Sequence, residues 1–140
     1  MFRVPGVLHY TGSVLFILCG VAHTIGQFAP DPHAAEIAKM IRTFTIPGTS
    51  YNYWDVMRDW GASYGAMTLL FGVILLVARR VSGDDPRMIR ATSLIGGIAA
   101  LAQFVFAVAY KTAPPIYFMV PAGTAFLLAA RWPEKPRTSP

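Results

Sequence analysis

WGASYGAMTLLFGVILLV, residues 60 to 77, runs without a charge, and Arg79 and Arg80 close it. A stretch of this length and apolarity, ended by arginines, is read as a helix crossing the hydrocarbon core of a bilayer. On a helical wheel Gly61, Ala62, Gly65, Ala66, Leu69 and Gly72 share one side, where other helices can approach closely. Trp60, Tyr64, Met67, Phe71 and Ile74 fall on the other side, which is expected to face lipid.

The rest of the composition agrees with this reading. Of 140 residues 54% are hydrophobic and 14% charged, too apolar and charge-poor for an ordinary soluble domain. Mean hydropathy is +0.46. The net charge of +5 comes from Lys and Arg that flank apolar runs, with no basic patch interleaved with aromatics, so nucleic acid is not expected as a partner. The lone cysteine, Cys19, excludes an intrachain disulfide, offers no zinc spacing, and reads as a small buried hydrophobe. Only Arg3 precedes the first apolar run and no A-x-A site follows it, so that run is expected to be retained.

Four spans are predicted, at about 7–28, 58–78, 88–110 and 116–130, forming one all-α membrane domain over 1–131. A basic, proline-rich tail over 132–140 is expected to be disordered. In the first span His9, Gly12, Ser13, Phe16, Cys19, Gly20, His23, Thr24 and Gln27 share a face, opposite Val14, Ile17, Leu18, Val21 and Ile25. After Pro30 and Pro32 comes a short amphipathic segment from His33 to Phe44. Ile37, Met40, Ile41 and Phe44 lie on one side of it, and Glu36, Lys39 and Arg42 on the other. This segment suits a helix lying in the membrane interface within the first extracytoplasmic loop. Asn52, three residues before Asp55, is placed to start the second long helix, and Tyr51, Tyr53, Trp54 and Trp60 then form an aromatic belt. Gly96, Ala100, Gln103, Ala107 and Tyr110 make the inward face of the third span, and Pro121 lies within the fourth. With four spans, eight of the twelve Lys and Arg residues fall on the side of the termini and four on the other. That bias predicts an inner-membrane protein with both termini cytoplasmic.

Ionisable and amide groups at membrane depth are costly and therefore mark candidate sites. His23 and Gln27 lie one turn apart near the outer end of the first span, and Gln103 lies at a similar depth on the third. Asp55, Arg58 and Asp59 stand at the start of the second helix. These six residues are the candidate ligand-binding set, with His23 expected to hydrogen-bond to Asp55 or Gln103. Two blander readings stand beside it: Asp55 and Asp59 pair with Arg58 at the water boundary, and the amides and His23 only join helices. His9 and His23, fourteen residues apart on one helix face, resemble the paired haem ligands of b-type cytochromes. A haem held this way needs a homodimer, and the plainer reading is two unrelated interior histidines. Metal-binding, phosphate-loop and serine-nucleophile motifs are not found.

GVAHTIGQF at the end of the first span, together with SYNYWDVMRDWGASYGAMTLLFGVILL, resembles small bacterial four-helix membrane proteins similar to the DoxX-like group. Gly20, His23, Trp54, Asp55 and Gly61 are the matching positions. The resemblance implies a four-helix membrane fold and a loose link to quinone-related redox chemistry, and supplies no catalytic residue. Three functions are carried forward. The first is a protein that binds a lipid-like or quinone-like molecule, as a monomer or homo-oligomer in the bilayer. The second is a membrane enzyme using His23 as acid or base with Asp55 orienting it. The third is a structural assembly subunit.

Overall fold

A computed structural model describes residues 4–29, 32–83, 85–109 and 113–132, excluding the side chains of 32–34 and 113–114. The tail beyond Trp132, and Tyr110, lie outside the described residues. Five helices follow one another: α1 (Val4–Phe28), α2 (Pro32–Ile41), α3 (Tyr53–Ser82), α4 (Pro86–Ala109) and α5 (Ala113–Arg131). No strand occurs among the described residues. α1, α3 and α4, of 25, 30 and 24 residues, are each long and apolar enough to cross a membrane, and α5 is a shorter apolar helix.

Local chemistry sets the ends of α3. Asn52 has extended backbone (φ −96°, ψ 162°), and its side chain accepts a hydrogen bond from the Asp55 amide at 2.9 Å. One orphan donor of the first turn is thereby satisfied. This cap starts the helix at Tyr53, five residues before the predicted span. Gly83, at φ +56°, ends it in a conformation that side-chain-bearing residues rarely adopt, and the chain reverses into α4 at Pro86.

Neighbouring helices run antiparallel, which puts residue 4, the 83–86 turn and residue 131 at one end, here the termini end. The 42–53 connection lies at the opposite, loop end. The central helix is α1, which packs closely on α3 and on α5. α4 packs closely on α5, whereas the α3–α4 and α1–α4 seams are slight. The close seams thus run in the order α3–α1–α5–α4, with α1 joining α3 to the rest of the bundle.

Both close seams depend on missing side chains. A Cβ on Gly20 would lie 2.5 Å from the Leu69 amide nitrogen and 2.6 Å from the Gly65 carbonyl oxygen, so the α1 and α3 backbones touch. Such contact between small residues drives helix association where lipid removes the hydrophobic incentive. On the other flank the Phe126 ring of α5 lies between Gly12 and Gly96, where a Cβ would come within 2.7 and 2.8 Å of it. Phe126 also meets the Phe16 ring at 6.0 Å and His9 edge-on at 5.3 Å.

The helical wheel of α3 needs one correction. Trp60, Met67 and Ile74 face outward as expected. Tyr64 and Phe71 do not: Phe71 packs on the core, 5.4 Å from the Phe16 ring, and Tyr64 reaches His23 and Gln103. The reason is that α3 has two contact faces: the small one meets α1, and the bulky one reaches both α1, through Phe71 on Phe16, and α4, through Tyr64 on Gln103. Only the remaining arc, with Trp60, Met67 and Ile74, stays exposed.

α2 ends at Ile41, three residues short of the predicted Phe44, and a turn carries the chain on. Ala38 is its buried residue, whereas Ile37, Met40 and Phe44 point away from the other helices. The chain then doubles back through a tight turn with Gly48 at φ +79° and a single bridge between Thr45 and Asn52.

Candidate ligand site

Two polar nodes lie within the apolar helices. The first is at the loop-end half and holds three of the six candidates. The His23 ring stands edge-on to Tyr64, with centroids 4.9 Å apart and planes at 68°. The Gln27 amide donates to His23 Nε2 at 3.4 Å. Since an amide nitrogen can only donate, Nε2 accepts and the neutral ring carries its proton on Nδ1. Gln27 reaches this position because its amide lies over Gly61, in the space a Cβ would take.

Across the slight α3–α4 seam, the Tyr64 hydroxyl donates to Gln103 Oε1 at 3.0 Å. Gln103 Nε2 in turn donates to the buried Thr68 hydroxyl at 3.4 Å. One amide thus holds two residues a turn apart on α3. His23, Gln27, Tyr64 and Gln103 are all half-buried. The expected bond from His23 to Asp55 or Gln103 is therefore replaced by one to Gln27, and Tyr64 stands between His23 and Gln103.

Asp55, Arg58 and Asp59 are not part of this node. They lie in the first two turns of α3, and Asp55 is about 13 Å from Tyr64 along the helix axis at 1.5 Å per residue. Arg58 pairs with neither carboxylate; its guanidinium carbon stands 4.8 Å from the centre of the Phe28 ring. Asp59 is exposed, and Asp55 is half-buried with its amide in the cap. An acid–base pair of His23 and Asp55 has no geometric support, because Gln27 occupies the position at His23 that Asp55 was expected to fill.

The second node, at the termini-end half, centres on His9, which the sequence placed on the polar face of the first span. His9 is fully buried, with Nδ1 2.8 Å from Ser93 Oγ of α4 and Nε2 3.1 Å from the Leu75 carbonyl of α3. The carbonyl can only accept, so Nε2 carries the proton and the Ser93 hydroxyl donates to Nδ1. One imidazole thus ties α1 to α3 and α4. Both ring nitrogens are engaged and the ring is sealed, so His9 does not fit a haem ligand, and the paired-histidine haem arrangement fails at that residue. Below it the Arg79 guanidinium lies against Gly6, 2.7 Å from where a Cβ would stand, and 5.6 Å from the Tyr10 ring centre.

Sequence reasoning missed Tyr64, Thr68 and Ser93. A signal was present for Tyr64, since a phenol within an apolar run needs a partner for its hydroxyl. A shallow apolar depression of about 420 Å³, lined by Val7, Tyr10, Thr11, Val14 and Leu15, lies on the outer side of α1, apart from both nodes. No known protein family matches the chain, and neither a characterised protein nor a solved structure is significantly similar to it.

Proposed function

We propose that the chain is an integral membrane protein crossing the bilayer four times, through α1, α3, α4 and α5, with both termini cytoplasmic. In this reading it binds a lipid-like or quinone-like molecule at the loop-end polar node, on the outer side of the membrane. The orientation rests on the eight-to-four distribution of Lys and Arg. α2 then lies in the outer interface, with Ile37, Met40 and Phe44 toward lipid. The resemblance to the DoxX-like group fits this reading, since Gly20, His23 and Gly61 all lie along the α1–α3 seam, each against a different neighbour.

The observation that carries the binding reading is the contrast between the two polar nodes. The His9 node is sealed and its hydrogen bonding complete, as a purely structural node should be. The His23 node is half-open, and His23 Nδ1 donates to no described residue. An apolar ligand entering from the bilayer beside the slight α3–α4 seam needs few polar anchors, and His23, Tyr64 and Gln103 supply them. The test is native mass spectrometry of protein extracted in mild detergent. An apolar molecule retained by the wild type and lost from a His23→Ala/Gln103→Ala variant supports the reading. Identical spectra for the two proteins refute it.

A further inference from the structure

At the loop end of α3, Trp54 Nε1 and Arg58 Nε are both buried and neither has a hydrogen-bond partner among the described residues. Four positions apart, the two residues share one face of the helix, their backbones about 6 Å apart along its axis. Buried donors left unmatched are rare, and each calls for a partner of its own. Both groups can only donate, so the missing partner is an acceptor. Two positive charges surround the position: the Arg58 guanidinium over Phe28, and that of Arg42, 5.8 Å from the Trp54 ring centre. Asp55 and Asp59 share these turns of α3 and pair with neither arginine, so the charge is not neutralised there. An acceptor between guanidiniums is best satisfied by an oxyanion, which forms charge-assisted hydrogen bonds. Phe28, under the Arg58 guanidinium, and Met57, the residue before Arg58, present exposed apolar surface, which a free inorganic anion would leave uncovered.

We propose that Trp54 and Arg58 form the headgroup subsite for an anionic lipid, holding its phosphate while its chains lie along the loop-end half of α1 and α3. This rests on the membrane reading above and adds a second, separate lipid subsite nearer the interface. It does not require that the His23 node be occupied. The test is native mass spectrometry of the full chain in neutral detergent with phosphatidylglycerol, phosphatidylcholine or inorganic phosphate added.

Phosphatidylglycerol should be retained at least about tenfold over phosphatidylcholine, in proportion to one or two charge-assisted hydrogen bonds. Arg58→Gln should abolish that preference. Trp54→Phe, which keeps the ring and removes the N–H, should reduce it several-fold. His23→Ala/Gln103→Ala should leave it intact, which separates failure of this subsite from failure of the deeper one. Equal retention of the two lipids, or full retention by a folded Trp54→Phe protein, would overturn the proposal. So would inorganic phosphate binding as well as phosphatidylglycerol.

Discussion

Ser93 is the sole hydroxyl facing His9 Nδ1, so Ser93→Ala leaves a buried acceptor unmatched while changing little else. Hydrogen bonds between helices in a membrane contribute on the order of 1 kcal/mol, and that is the expected loss of stability in detergent unfolding. No measurable change would show that His9 is not the link between α1 and α4. The glycines allow a paired test on one helix. Gly20→Ala drives a methyl group into the α3 backbone and is expected to cost about 1–3 kcal/mol, the range for overpacking. Gly26→Ala meets nothing within 4 Å, so it should be neutral or slightly stabilising, since alanine is the better helix former. Equal effects of the two substitutions in thermal unfolding would contradict the close α1–α3 contact.

At the scale of elements, α2 is the segment whose placement depends most on the proposed membrane topology. Its helical period was legible because Ile37, Met40 and Ile41 repeat at the right spacing, but the direction of its apolar face was not. Ala38 faces inward while Ile37 and Met40 face out, a choice that depends on neighbours the periodicity does not name. Spin labels along 35–41 in lipid vesicles should show oxygen accessibility peaking at Ile37 and Met40 and falling at Ala38. A flat profile would remove α2 from the interface. The faces of α3 were misjudged for a related reason. A helical wheel separates small from bulky residues, and bulky was equated with lipid-facing. The hydroxyl of Tyr64 finds Gln103 where α4 approaches, and Phe71 turns onto Phe16 of α1, so both become interior. The cap at Asn52 was legible because a short polar side chain ahead of a helix acts through its own amide neighbours, with no long-range partner needed.

For the whole molecule, composition and the long apolar runs were enough to identify an all-helical chain with membrane-length helices. Packing order was not legible, because α1 takes its central place from glycine contacts to two helices distant in sequence. Phe126 is the clearest example: it lies in an unremarkable apolar stretch, yet fills the space left by Gly12 and Gly96. Phe126→Ala is expected to cost about 3–5 kcal/mol, the range for removing a buried ring. Unfolding at the wild-type midpoint would mean the α1–α5 seam does not depend on it.

In the proposed topology four crossings put the 42–53 connection outside, and Gly83 and Asp85, between α3 and α4, inside. Membrane-impermeant maleimide labelling of intact cells tests it directly, with Ser50→Cys and Asp85→Cys, both at exposed positions, each made in a chain whose buried Cys19 is replaced by alanine. The expected result is labelling at 50 in intact cells, and at 85 only after the membrane is opened. Labelling of both positions in intact cells, or of 85 alone, would contradict it.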